Sequence, residues 1–436
     1  MPDTSSVRVC DACGGAALIP FADLGSIPVL CGVHWADAAA AAASPVGRMS
    51  MAYCPECAYV RNIAFDPAIM VYDTTMDTNL HHSAAFRSFS TELVNGLVER
   101  HELKGKRILD IGCGQGEFLR ELCHTGGCTG TGYDAMYAGP VGPDPSVATF
   151  HSGFAPRGAG LPDFDVVTSR HWFEHIDDPY DFLSDLRQRA GDRRVYGYLE
   201  VPDACYDLAT AGWEVIYPHV SYFDASSLCR IVERAGWRVE DTGVFFSGMF
   251  RFIEFSANQP GPRLGRTELP SRVDRDRQLA SVAGFADRHH GERAAWRDRI
   301  SALVADGANP VLWGAGSRGV QFLTFADADR RLSAVVDLNP RKWGRYLPVT
   351  AHRVDPPSSA AGSGTCSAAA GAPILRLTRT AAEAAARRWG TWSSGSSCAS
   401  PTPIGRPPST PCGRPTTTAG STSASTTSGW PPRTAR

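Results

Sequence analysis

The stretch Leu109-Asp110-Ile111-Gly112-Cys113-Gly114-Gln115-Gly116 limits this chain more than any other feature. KRILDIG before it is short and apolar, a strand; EFLREL after it has helical spacing. Glycines at 112, 114 and 116 let the backbone turn sharply between the two and leave no side chain between main chain and ligand. The amide-rich start of the helix favours an anionic group. Asp134 closes the next strand, TGTGYDA, about twenty residues on, where a carboxylate accepts hydrogen bonds from both hydroxyls of a ribose. A strand, a glycine turn, a helix and an acidic strand end in this order predict a nucleoside-bearing ligand on an α/β sheet.

The flanking sequence continues that pattern. FDVVTSRH and RVYGYLEVP read as further strands, and PYDFLSDLRQRA as an amphipathic helix with Phe182 and Leu186 on one face. Strands alternating with helices over residues 76–262 predict a parallel sheet covered by helices. Residues 263–354 begin as a helical linker, with Leu279, Val282, Trp296, Ile300 and Leu303 near helical spacing. They end in a second strand–glycine loop–helix–strand unit, VLWGAGSRGVQFL followed by VVDLNP, with Gly314, Gly316, Gly319 and Asp337 in the corresponding places. Residues 355–436 change character: from Pro356 onward there is no Phe, Tyr, Val, Met, Lys, Asn, Asp, Gln or His. Such a composition buries too little apolar surface to offset chain entropy and predicts a disordered tail. A GC-rich gene read out of frame from near residue 354 gives the same residue set, and the second α/β unit stops partway.

Residues 1–75 are loop-rich and carry Cys10-x-x-Cys13 and Cys54-x-x-Cys57. Four thiolates on two tight turns form the ligand set of a closed tetrahedral zinc site, structural because no coordination position stays open. A segment this short has little core of its own, and zinc supplies roughly 10–16 kcal/mol of folding free energy in comparable segments. Cys31 has no assigned role. Between the pairs, the alanine run Ala38–Ala43 reads as a short surface helix or loop. A zinc ribbon that grips nucleic acid is the competing use, but the flanks lack a Lys/Arg cluster and the net charge is −2. No apolar run reaches membrane-spanning length, and the first residues lack a basic start and an apolar stretch, so a soluble cytoplasmic protein is expected.

Ligands bind at the carboxyl ends of strands in open α/β sheets, which directs attention to two loops. Ser169-Arg170-His171-Trp172-Phe173-Glu174-His175 follows the fourth strand, and Tyr217-Pro218-His219-Val220-Ser221-Tyr222 lies beyond the fifth. Histidine is the natural proton acceptor near neutral pH. His175 and His219 are therefore the candidate base and positioning groups, with Glu174, Tyr217 and Tyr222 beside them; His171 is a candidate for shaping the cofactor pocket. Tyr72 and the His81-His82 pair read as surface or packing residues, with a lid role as the alternative.

The form Asp-x-Gly-x-Gly-x-Gly with Asp110 in the strand resembles the cofactor loop of class I S-adenosylmethionine-dependent methyltransferases, which have a Rossmann-like fold. That resemblance implies S-adenosylmethionine held by Asp110, Gly112, Gly114, Gln115, Gly116 and Asp134, with Arg170 and His171 at the pocket. The whole set of motifs resembles the zinc-containing C-methyltransferases of nucleotide-linked ketosugars. It comprises the paired cysteine turns, LDIGCGQG, Arg-His-x-x-Glu-His-Ile, Glu-Val-Pro leading to Tyr-x-His-x-x-Tyr-Phe, and VLWGAGSRGVQFL with VVDLNPRKWGRYLP. This family implies proton removal beside a ketone, methyl transfer to that carbon, and a carboxy-terminal Rossmann-like domain that helps hold the substrate's nucleotide. Its setting is natural-product or glycan biosynthesis. The chain departs from the family at Pro218, where a glutamate is usual, and in the partial carboxy-terminal unit. Methylation of oxygen or nitrogen, and a non-catalytic cofactor-binding remnant, are the alternative readings.

Overall fold

In a computed structural model, the described residues are 9–15, 17–77, 79–144, 147–209, 212–259, 272–360, 363–366 and 374–378. Strand β1 (Ile19–Pro28) pairs antiparallel with β2 (Val46–Tyr53), and helix α1 (Ala38–Ala42) lies in the connection. Asp37 caps that helix by accepting from the amide of Ala40, and Ala41 is buried, so the alanine run is anchored rather than lying wholly at the surface. In β2, Gly47, Met49 and Met51 are buried at every second position, the period of a strand with one face on a core. β3 (Val60–Asn62) extends the sheet beside β2.

The central layer runs α2 (Ala84–His101), β4 (Arg107–Ile111), α3 (Glu117–Gly126), β5 (Thr129–Asp134), β6 (Gly142–Asp144), β7 (Ala148–Ser152), β8 (Val166–Arg170) and α4 (Pro179–Ala190). It continues with β9 (Val195–Pro202), α5 (Ala204–Ala209), β10 (Ser221–Tyr222), α6 (Ala225–Arg234), β11 (Arg238–Phe245) and β12 (Phe250–Ala257). Eight of these strands make one sheet in the order β11-β12-β9-β8-β4-β5-β7-β6. Its centre, β9-β8-β4-β5-β7, is parallel, as the strand–helix alternation predicts. The chain leaves β4 for β5 and β7 on one side and returns to β8 and β9 on the other. The crevice beyond the ends of β4 and β8 is thus a topological switch point, where open sheets bind ligands. The α/β, Rossmann-like fold expected from the sequence is the fold observed.

β10 does not join that sheet. It pairs with β3, Ser221 opposite Arg61, and completes the amino-terminal sheet β1-β2-β3-β10. The segment expected to end at residue 75 therefore shares a sheet with residues far along the chain.

Two helices, α7 (Arg272–Ala283) and α8 (Phe285–Ala305), follow, burying Phe285, Trp296 and Ile300 of α8. The second unit consists of β13 (Pro310–Trp313), α9 (Ser317–Ala326), β14 (Ala334–Val336) and β15 (Val354–Asp355), its three strands parallel. The featureless tail expected from residue 355 is corrected in part. β16 (Ser363–Cys366) and β17 (Ile374–Thr378), the latter carrying Ile374, Leu375 and Leu377, extend this sheet by pairing at its open edge, β17 antiparallel to β13. Residues 361–362, 367–373 and 379–436 lie outside the described residues. No described helix is long and apolar enough to cross a membrane.

Candidate functional site

The glycine turn leaves β4 at Gly112 and enters α3 after Gly116. Gly112, Gly114 and Gly116 have φ of 76°, 57° and 82°, the left-handed region that only glycine adopts without strain. A Cβ on Gly112 would stand 2.4 Å from the Cβ of Trp172, and one on Gly116 would stand 2.4 Å from the Phe150 ring. Neighbouring side chains thus press the loop from both sides, while Gly114 has open space above it. Asp134 holds the loop's shape: one carboxylate oxygen accepts from the Gly114 amide at 2.8 Å, the other from the Met136 amide at 2.6 Å. Burial pushes its pKa up against those hydrogen bonds. Gln115 clamps the segment after β5 by donating to the Met136 carbonyl and accepting from the Ala138 amide. Asp110 is buried under the loop, accepts from the Thr168 hydroxyl at 2.7 Å, and is raised by burial to about 7. The arrangement fits a nucleoside with a charged amino-acid tail: an open backbone cradle at Gly114, helix-start amides and the Asp134 carboxylate.

Arg170 and His171 stand at the end of β8 but turn toward Glu200 on β9. The Arg170 guanidinium is buried, bonds both Glu200 carboxylate oxygens at 3.0 and 3.3 Å, and lies over the Phe118 ring. His171 Nε2 is 2.8 Å from the same carboxylate. The Arg170 guanidinium is committed to Glu200 and Ser90, so it supports the pocket wall rather than facing a ligand.

Trp172, seated against Gly112, places the next turn in the same crevice, and it holds Glu174 and His175. His175 Nδ1 is 2.8 Å from the Pro218 carbonyl oxygen, with the Tyr72 hydroxyl at 3.3 Å. A carbonyl only accepts, so Nδ1 carries the proton and Nε2 keeps its lone pair. Burial lowers His175 to about 4 and holds it neutral. The His219 ring is 5.0 Å away, centroid to centroid, and burial lowers its pKa well below the usual range. Glu174 is 2% exposed, neither of its carboxyl oxygens bonds another residue, and burial raises it to about 8.

The two tyrosines expected here are directed elsewhere. Tyr217 accepts from the Asp66 amide at 2.9 Å and packs on Phe65; the Tyr222 hydroxyl donates to the Ile216 carbonyl, although its ring flanks His219. Tyr72, read from sequence as packing, is the tyrosine that reaches His175, with the exposed Phe154 beyond it. Adjacency in sequence carried no signal for it.

The four cysteines come together. Cys10 Sγ lies 3.5 Å from Cys57 Sγ, and Cys13 Sγ lies 3.6 Å from Cys54 Sγ. A zinc–sulfur length near 2.3 Å places sulfurs about 3.8 Å apart in a tetrahedron, so the donor set fits zinc. In the second glycine loop, Asp337 accepts from the Ala315 amide at 2.7 Å and pairs with the buried Lys342 at 3.1 Å. The chain's own lysine answers the acidic group there.

A family model described as a methyltransferase domain matches residues 81–242. The chain is 26% identical over 287 residues to the C-methyltransferase NovU of Streptomyces niveus, covering 62% of this chain and 67% of that one. It is 30% identical over 182 residues to a ubiquinone biosynthesis O-methyltransferase of Aeromonas salmonicida, covering 36% of this chain and 73% of that one. Among solved structures, an S-adenosylmethionine-dependent methyltransferase from Mesorhizobium loti aligns at 17% identity with a TM-score of 0.31, covering 37% of this chain and 96% of that chain.

Proposed function

Because the chain belongs to the S-adenosylmethionine-dependent methyltransferases, we propose that it methylates a carbon beside the ketone of a nucleotide-linked sugar. The observation that carries this reading is the His175 ring, fixed by the Pro218 carbonyl so that Nε2 is left unprotonated in a cluster with Glu174 and His219. Similarity to a C-methyltransferase over most of the described chain supports it. S-adenosylmethionine supplies an electrophilic methyl group when bound. Asp134 and the glycine-turn amides would hold its ribose and charged tail.

His175 Nε2 takes the proton from the carbon next to the ketone, and the electron pair of that C–H bond passes into the enolate. His219 and Tyr72 orient the acceptor, and the protonated Glu174 carboxyl donates toward the developing oxyanion. The proton ends on His175. The enolate electron pair would form the new carbon–carbon bond as the methyl–sulfur bond of S-adenosylmethionine breaks, its electrons leaving with S-adenosylhomocysteine. Holding the two reactants in line supplies much of the remaining rate. Cys10, Cys13, Cys54 and Cys57 bind structural zinc in this reading.

Pro218 and the O-methyltransferase relative favour one second reading, transfer to a sugar hydroxyl, which requires a base but no enolate. Incubation with S-adenosylmethionine and a nucleotide-linked 4-ketosugar, followed by NMR, separates the two. A methyl carbon attached to carbon supports the first, and one attached to oxygen supports the second.

A further inference from the structure

Glu174, His175 and His219 bring one ligand atom each to within 4.8 Å of one another in a largely buried cluster. What sets this cluster apart is that several of its buried polar atoms are unmatched. His175 Nδ1 is occupied by the Pro218 carbonyl, so the ring presents the Nε2 lone pair, 3.9 Å from a Glu174 oxygen. His219 Nδ1 has no hydrogen-bond partner, and neither Glu174 oxygen bonds another residue. Buried acceptors left unmet are rare in native proteins and destabilise them. A protonated Glu174 carboxyl can donate one hydrogen bond within the set. A cation meets the whole set together, with Glu174 giving up its proton on binding it.

The geometry points to a second metal site, made by Glu174, His175 and His219, that takes a borderline divalent ion of the zinc, cobalt or nickel type. Two imidazole nitrogens and one carboxylate oxygen match the preference of these ions. The Nδ1–H of His175 on a backbone carbonyl is the outer-shell bond that typically fixes a ligating imidazole. The absence of sulfur separates this set chemically from the four cysteines. The consequence for activity rests on the reading of His175 as the base: the ion and the substrate proton claim the same Nε2 lone pair. Ion occupancy and methyl transfer therefore exclude each other, and the site makes the enzyme sensitive to free divalent metal.

Cobalt distinguishes the outcomes. Protein whose cysteines are already filled with zinc is titrated with Co2+ and followed by absorption, with transfer to the ketosugar measured alongside. One bound equivalent should show d–d bands without thiolate-to-cobalt charge transfer, and transfer should fall in proportion to occupancy. Glu174→Gln, which keeps the side-chain shape, and His219→Ala should each weaken cobalt binding at least tenfold, with folding checked by circular dichroism. No further equivalent, a thiolate band, or wild-type affinity in both variants overturns the site. Full occupancy with undiminished transfer overturns the exclusion. A His175→Ala protein that still transfers methyl removes His175 as the base but leaves the cobalt result to stand or fall alone.

Discussion

Arg61 and Asp177 are joined across 116 residues of sequence by a charge-assisted hydrogen bond. The Arg61 side chain is wholly buried, and its other terminal nitrogen donates to Asp11 at 2.9 Å. Asp11 sits between Cys10 and Cys13, and Asp177 lies two positions beyond His175. One guanidinium thus links the first cysteine turn to the loop that carries the candidate base. The fork geometry of arginine serves both acids at once, which a lysine ammonium does less well. Arg61→Lys is therefore expected to lower kcat by roughly tenfold while KM moves less, because displacing a reacting group impairs catalysis more than binding. Steady-state kinetics on the variant checks this, and an unchanged kcat rejects the link.

The same connection would carry the influence of a metal at the four cysteines over a long range. β3, which begins three residues after Cys57, pairs with β10, two residues after His219. Stripping zinc with a chelator is expected to lower the thermal midpoint and to disorder residues near His219 along with the first sheet. Circular dichroism melts and hydrogen exchange on residues 215–225, before and after chelation, measure it. Retention of both the midpoint and the protection removes the structural role.

What the sequence disclosed and what it hid divide along a physical line. The glycine turn, the strand ends at Asp110 and Asp134, and the paired cysteines are local patterns, each set by backbone geometry within a few residues. Tyr217 and Tyr222 flank His219 in sequence, yet their hydroxyls meet the Asp66 amide and the Ile216 carbonyl. Which way a side chain points in that loop depends on the register of β10 against β3, a pairing between segments more than 150 residues apart that no local pattern encodes. Tyr72 reaches His175 from 103 residues away for the same reason. Arg170 read as a pocket residue because it ends a strand. The neighbouring strand supplies Glu200, and two opposite charges brought together in a buried place pair with each other.

His175→Ala is expected to abolish methyl transfer, with activity reduced by at least a hundredfold, the lower end of the range for losing a general base. Affinity for S-adenosylmethionine should stay near the wild-type value, since Asp134 and the glycine turn are untouched. Calorimetry with the cofactor and a single-turnover assay separate the two effects. A variant that keeps most of its activity rejects His175 as the base.

Asp134→Ala is expected to weaken cofactor binding roughly tenfold to a hundredfold, the loss of one to two charge-assisted hydrogen bonds. Part of that loss comes from the loop itself, because the Gly114 and Met136 amides lose their acceptor. Asp134→Asn retains one oxygen and should fall between. Titration calorimetry with S-adenosylhomocysteine gives the ranking directly, and equal affinities in all three proteins contradict the assignment.

Glu200 gives a stability prediction with a definite sign. Burial alone would raise its pKa, but the Arg170 guanidinium and His171 outweigh that and hold it at about 2, below the ordinary 4.5. A carboxyl with a depressed native pKa binds protons more readily in the unfolded chain, so the unfolded state gains protons as pH falls from 4.5 to 2. The stabilisation from this group is complete above pH 4.5 and is lost through that window, by up to roughly 3 kcal/mol. Glu200→Gln also leaves Arg170 without its buried partner, so the variant should be less stable than wild type at pH 7. The gap between the two proteins should narrow steadily as pH falls below 4.5. Urea unfolding at a series of pH values tests this: a gap that stays constant down to pH 2.5 means the Arg170–Glu200 pair does not set the acid limb of stability.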